Sequence, residues 1–292
     1  MRNEKIINDS IKAHNISISS LYLKLTRFQK FITLFILLNK MKIPSSYDVI
    51  GNIAVLPENT ANSNKIAKEL LKKFKHIETV AIKTKIHSGK FRLQKTKILA
   101  GKKIKSTLHK ESGCSFNLNI DQTYFSPRLS GERLRISKQI KENESVLVIG
   151  SGVGVYPIII SKHSKAKEIY AIEINPKAVK FAAENIQLNK INNIELYLGD
   201  VRNILPKIRK AFDRIIMPLP SNADSFLDLA LKKIKPKGII HMYDFELLKD
   251  IPNKSIEKVK QYLKNPKILN VQKVGQSSPR KYRVCVDFKI KG

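Results

Sequence analysis

VLVIGSGVGVYPIII, residues 146–160, decides the fold. An apolar run ends in three glycines, Gly150, Gly152 and Gly154, and a second apolar run follows at once. Glycine tolerates positive φ and carries no Cβ, so such a strand end turns tightly and lets a ligand lie against bare main chain. Downstream, strand-like and helix-like runs alternate: KEIYAIEI, a helix, NIELYLGD, a helix, FDRIIMPL, a helix, GIIHMYDF. That alternation predicts a parallel, doubly wound α/β sheet with helices on both faces. In NPKAVKFAAENIQLN, Asn175 is placed to cap and Pro176 suits the first helical position, with Val179, Ala182, Ala183 and Ile186 on one face. Ser221 followed by Asp224 suggests a further helix start.

Upstream of the glycines the texture changes. Residues 47–115 mix short β-like runs (DVIGNIAVL, TVAIKTKI, FRLQKTKILAG) with lysine-rich turns and one helical run near NSNKIAKELLKKF. This predicts a small basic α+β module over 47–115, followed by the α/β domain over 116–292. Residues 1–46 are expected to be an N-terminal extension, weakly structured or the product of an upstream start codon. Within it FQKFITLFILL, residues 28–38, is too short to span a bilayer, so no membrane anchor is expected.

Lys and Arg total 55 against 24 acidic residues, a formal net charge of +31. A surplus of that size repels itself unless a polyanion is near, and nucleic acid is the leading partner. Two cysteines, Cys114 and Cys285, with no CxxC pair and no Cys/His cluster at ligand spacing, indicate neither a disulfide framework nor a metal, and fit a cytoplasmic setting.

The third glycine falls four residues after the first, not five, so the loop departs from the dinucleotide pattern GxGxxG. It resembles the GxGxG of class I S-adenosylmethionine (SAM) methyltransferases. Glu173 ends the next strand, where a carboxylate can accept both hydroxyls of a ribose, and Asp200 follows the strand after it, within reach of an adenine amine. Gly150, Gly152, Gly154, Glu173 and Asp200 are therefore the expected cofactor-binding residues, with SAM as cofactor.

DQTYFSPRLSGERLRI, residues 121–136, resembles the block preceding the SAM domain in the archaeal and eukaryotic tRNA (guanine-37-N1)-methyltransferases. FRLQKTKILAG, EINPKAVKFAAENIQLNKI, DRIIMPLP and SSPRKYRVCVDFKI extend the resemblance over most of residues 47–292. It implies methyl transfer from SAM to N1 of guanosine-37, beside the anticodon. Guanine N1 carries a proton that leaves only well above neutral pH, so the reaction needs a base at N1 and a positive group near O6. By resemblance Glu132 is the base, Arg92 the arginine and Tyr124 the aromatic that positions the guanine, with Arg128, Pro218 and Pro220 completing the substrate-binding set. Tyr124 or Phe125 would supply a stacking face for the flipped base, and Pro279 and Arg280 are expected either to line the same cleft or to form a simple surface turn. Lys83, Lys85, Lys90, Lys95, Lys97, Lys102, Lys103 and Lys105 would grip the phosphates of the anticodon arm.

The chain departs from the family pattern at two places. Pro218 stands where an asparagine is usual, and the glycine loop lacks an acidic residue and a Met-Phe-Ala start. The first departure keeps two other readings open. One is methyl or aminocarboxypropyl transfer to the tricyclic wyosine precursor, and the other is a tRNA-binding homologue without catalysis. The expected partner is tRNA through its anticodon arm, with no membrane or DNA partner, and the chain is expected to be a monomer.

Overall fold

In the first half of the chain, short β-branched runs pair around a single helix. The structure is a computed structural model that describes residues 47–84, 89–220 and 224–291. The extension over 1–46, Lys85 and the helix start at Ser221 lie outside the described residues. Strands β1 (Asp48–Ile50), β2 (Ile53–Leu56), β3 (Thr79–Lys83) and β4 (Thr96–Gly101) form one sheet in that order. Helix α1 (Ser63–Lys73) joins β2 to β3, which pair in parallel, and buries Ala67 and Leu70. Strands β5 (Ser106–Glu111) and β6 (Cys114–Asn119) make a hairpin. The domain boundary expected between residues 115 and 116 falls within β6.

Helix α2 (Ser130–Ser137) leads into the large sheet. Its elements are β7 (Ser145–Ile149), α3 (Val155–His163), β8 (Glu168–Glu173), α4 (Pro176–Leu188), β9 (Ile194–Leu198), α5 (Val201–Ile204), β10 (Phe212–Met217), α6 (Leu227–Leu231) and β11 (Ile234–Leu247). They are followed by α7 (Asn253–Tyr262), β12 (Lys267–Ser278) and β13 (Lys281–Lys289). The strand order is β12-β13-β11-β10-β7-β8-β9, parallel from β11 to β9, with β13 antiparallel to β11 and to β12. Every residue of β7 is buried, as a central parallel strand covered on both faces requires. Among the described residues no helix is long and apolar enough to cross a membrane.

The hairpin, the small sheet and α3 share one apolar cluster, in which Ile53 and Val55 meet Phe116, Leu118, Ile158 and Ile159. Helix α4 adds a polar seam. Asn175 caps it by accepting from Lys177 N, with Pro176 at the first position. Its buried stripe is Ala178, Ala182 and Asn185, so Ala183, expected inside, faces solvent. Asn185 is there because its side-chain amide pairs with the main chain of β6. Its Oδ1 accepts from Asn117 N at 2.7 Å and its Nδ2 donates to Asn117 O and Val153 O, both at 3.0 Å. One turn on, Asn189 repeats the pattern on Ser115 N and O. Two side-chain amides thus stand in for a neighbouring strand.

Replacing Asn185 by leucine leaves one buried N–H and two carbonyls without partners, at a cost of about 3 kcal/mol. A melting temperature lower by roughly 10 °C than wild type is expected by calorimetry. Asn189→Ala, at a half-exposed position, is expected to cost about 1 kcal/mol.

Candidate functional site

The carboxyl ends of four parallel strands converge on one cavity. The loop after β7 contributes Gly150 and Gly152, β8 ends in Glu173, Asp200 follows β9, and Pro218 and Leu219 follow β10. From the small module come Lys90, Phe91 and Arg92, and from the segment before α2 comes Tyr124. Ile172, Ile174, Val201 and Phe226 supply apolar wall.

Glu173 organises the loop. Its Oε2 accepts from Gly152 N at 2.8 Å, and its Oε1 accepts from Ile174 N and Asn175 N at 2.9 and 2.8 Å. Burial pushes its carboxyl above the ordinary range, and those three main-chain donors oppose the push. A carboxylate offers about four acceptor directions, so one remains for a ligand hydroxyl. Gly150 has φ +81, and a Cβ there would lie 2.5 Å from Leu219 Cδ2, so a side chain would both strain the turn and collide with the wall. Gly154 differs. It caps α3 but does not line the cavity, and a Cβ would press on Ile158 and Ala182 at 3.2 and 3.3 Å, so its contribution is close packing of α3 on α4.

Asp200 caps α5 through Arg202 N at 3.0 Å and takes the Arg202 guanidinium on both oxygens. Hydrogen bonding to Arg202, against some burial, holds its carboxyl down to about 2. An ionised acceptor therefore stands at the β9 end of the cavity at neutral pH, opposite Glu173.

Around Arg92 the site becomes aromatic and cationic. Arg92 has φ +52, and its guanidinium lies 5.6 Å from the Tyr124 ring centre and 5.9 Å from that of Phe245. Burial lowers its basicity; the neighbouring Tyr124 raises it and Arg283 lowers it further. Phe125, expected as a possible stacking face, turns the other way, its ring edge-on to His109 and under Arg133. Arg128 does not line the cavity; its Nε donates to Asp48 Oδ1 at 2.6 Å and so ties the chain before α2 to β1. Pro220 is buried and outside the lining, whereas Pro218 lines it.

Glu132 is also absent from the lining. It is buried beneath the aromatic cluster, its two oxygens taking the Arg135 fork at 2.6 and 2.8 Å and the Tyr243 hydroxyl at 2.5 Å. Tyr243 in turn accepts from the Tyr156 hydroxyl at 2.9 Å. Arg135 reaches on to Asp287, which also accepts from His241 Nδ1 at 2.7 Å. Burial drives His241 toward its neutral form, so Nδ1–H donates to Asp287 while Nε2 accepts from Arg214 Nη1 at 2.8 Å. Burial disfavours the Asp287 carboxylate, yet His241 and Arg135 outweigh it and hold the group well below the usual carboxylate range. The ligand-type atoms of His241, Cys285 and Asp287 lie within 4.8 Å of one another. Two guanidiniums flank them, which makes the place unfavourable for a cation.

The sequence reading thus named the glycine loop, Glu173, Asp200, Arg92, Tyr124 and Pro218, and the structure gathers these at one cavity except Gly154. It missed Phe245, Arg283, Tyr243 and Arg135. A period-two pattern in HMYDF and in KYRVCVD places Tyr243 and Phe245 on β11 and Arg283 on β13 facing the same side, and that alternation was the available signal, whereas Arg135 lies on α2. Of the lysines expected to grip phosphate, Lys95, Lys97 and Lys103 are exposed and Lys90 lines the cavity, whereas Lys83, Lys102 and Lys105 pair with Asp48, Glu78 and Asp121.

A family profile described as the TRM5/TYW2 methyltransferase domain matches residues 107–271, and one described as the TYW2 N-terminal domain matches residues 38–104. The chain is 36% identical over 262 residues to the tRNA (guanine(37)-N(1))-methyltransferase Trm5b of Pyrococcus abyssi, covering 85% of this chain and 76% of the relative. The crystal structure of that protein superposes with a TM-score of 0.77, at 33% identity, over 85% of this chain and 76% of that one. The tRNA (guanine(37)-N(1))/4-demethylwyosine(37)-methyltransferase Taw22 of Nanoarchaeum equitans is 33% identical over 297 residues, covering 83% of this chain and 99% of the relative. TYW2 of M. jannaschii, solved in complex with AdoMet, superposes with a TM-score of 0.64 at 29% identity, covering 84% of this chain and 98% of that one.

Asp287→Asn removes the negative charge shared by Arg135 and His241 and turns one acceptor oxygen into a donor amide, and is expected to cost about 3 kcal/mol near neutral pH. A lowered carboxyl contributes its stability above the unfolded value of 3.8 and loses it as the pH falls. Urea titrations of both proteins should therefore show a constant gap from about pH 8 to about pH 5 that narrows below about pH 4.

Proposed function

The chain belongs to the TRM5/TYW2 methyltransferase family, and from that premise we propose that it methylates N1 of guanosine-37 in tRNA with SAM as donor. One observation carries this reading: a single cavity is lined both by the glycine loop, Glu173 and Asp200 and by Arg92 and Tyr124. A nucleoside cofactor and a target base would thereby share one enclosure.

The residues fit SAM. Gly150 and Gly152 leave main chain bare where side chains would fill the cavity, Glu173 has an acceptor direction left for a ribose hydroxyl, and Asp200 is ionised at the other end. Ile174 and Val201 offer apolar surface to a flat heterocycle. When bound, SAM supplies a methyl group made electrophilic by its sulfonium.

Arg92 and Tyr124 orient the base, Tyr124 by stacking and Arg92 by opposing the negative charge that grows on O6 as N1 loses its proton. Glu132 is the proposed acceptor of that proton. Arg135 and Tyr243 hold it through three hydrogen bonds, which leaves Oε2 one acceptor direction. Its partner Tyr243 marks a level two residues along β11 from Phe245, whose ring Arg92 touches. A flipped guanine entering between Tyr124 and Phe245 would present its N1 edge toward that level. Exposed Lys95, Lys97 and Lys103 carry the anticodon arm through phosphate contacts. The chain acts as a monomer on the cytoplasmic tRNA pool.

Pro218 supports one second reading. It lines the cavity without the amide that the family pattern leads one to expect, and the Nanoarchaeum relative is named for action on both guanosine and 4-demethylwyosine. A wider base could use the space.

Incubation with labelled SAM and an unmodified tRNA transcript, followed by nucleoside analysis, is expected to yield N1-methylguanosine. A product formed only from the tricyclic precursor would favour the second reading, and retention of tRNA without product would overturn both. Glu132→Gln is expected to lower kcat by about 100-fold with the SAM dissociation constant within about twofold of wild type. Glu173→Ala is expected to weaken SAM binding by at least about tenfold in calorimetry, because three loop hydrogen bonds lose their acceptor. Equal losses of affinity in the two variants would contradict these roles.

A further inference from the structure

Strands β11 and β13 run side by side with Tyr243 opposite Cys285, Phe245 opposite Arg283 and Leu247 opposite Lys281. Arg283 therefore emerges beside Phe245, 5.3 Å from that ring centre and 6.0 Å from the ring centre of Tyr124. Its Nη2 donates to the Tyr124 hydroxyl at 2.6 Å. Its Nε is buried with no hydrogen-bond partner, and among the described residues no carboxylate pairs with the guanidinium. Lys281 Nζ lies 5.8 Å from the Phe245 ring, and Arg92 is close enough to Arg283 that each charge disfavours the other.

A buried guanidinium donor without an acceptor, held among further cations, is costly unless an anion completes it. A guanidinium presents its donors as a planar fork that matches two oxygens of a phosphate. Tyr124, which lines the cavity, holds that fork through its hydroxyl. We propose that Arg283 binds a backbone phosphodiester next to the flipped nucleotide, and so positions the RNA strand while Tyr124 takes the base. This rests on the reading of the cavity as a tRNA site, and it adds a residue that neither the glycine loop nor the SPRLSGER block contains.

The test uses the full chain and an unmodified tRNA transcript. Arg283→Gln is expected to weaken binding about tenfold, and to lower the slope of log affinity against log salt by about one between about 50 and about 200 mM salt. KM for tRNA should rise by a similar factor, with SAM affinity unchanged. Arg283→Lys keeps the charge and should restore most of the slope. In an anticodon stem-loop, a neutral methylphosphonate at one of the two phosphates flanking the target guanosine should weaken the wild-type protein about tenfold and Arg283→Gln no further. This arm reads the wild-type protein even if the glutamine variant folds poorly. A wild-type slope in Arg283→Gln, or wild-type affinity for both neutral linkages, overturns the proposal while leaving the tRNA reading in place. Absence of any transcript binding by the wild-type protein overturns both.

Discussion

One carboxylate, that of Glu173, fixes the shape on which the cavity depends. It gathers main-chain donors from its own strand end and from the glycine loop one strand away, so the exits of β7 and β8 cannot move independently. The loop could not close on it with side chains in place, since Gly150 already lies against Leu219. Burial works against the ionised form, and three aligned N–H groups offset that cost. Preorganisation is the result: one acceptor direction of a cavity-lining carboxylate is left over after the loop is fixed.

The aromatic and cationic cluster that Arg92 and Tyr124 join is built by pleat. On β11 and β13 every second residue faces α2 and α3, and depth along the strands sorts them by chemistry. His241 and Asp287 are deepest, locked with Arg214 and Arg135 into a network closed to water. Tyr243 comes next and meets Glu132. Phe245 and Arg283 follow, where Arg92 and Tyr124 arrive from the first part of the chain. The deep network holds Arg135, Arg135 holds Glu132, and the geometry of the proposed base is thus set by residues outside the cavity lining.

Much of this was readable in the sequence where the signal is local. Alternating strands and helices, the cap and proline at Asn175 and Pro176, and the glycine spacing each depend on neighbours within a few positions, and each appears where the pattern puts it. Long-range pairing was not readable. Glu132 is named through the family resemblance alone, and its burial depends on Tyr243, 111 positions away. The burial of Asn185 depends on β6, 68 positions upstream, which no local pattern encodes. Arg128 lies in the most specific motif of the chain but bonds Asp48 on the small sheet, 80 positions away, a contact that motif and spacing do not encode. The strands β12 and β13 went unread for a related reason: their residues are mixed in polarity, and β13 becomes apolar only because β11 and β12 cover it.

The two amides that α4 offers to β6 have a consequence for the behaviour of the chain in a crowded cell. A strand margin with open donors and acceptors invites a second molecule to extend it, the first step toward aggregates. Here that margin is already satisfied by side chains whose spacing of four on the helix matches two residues on the strand, so the hairpin offers incoming chains no free template along that side.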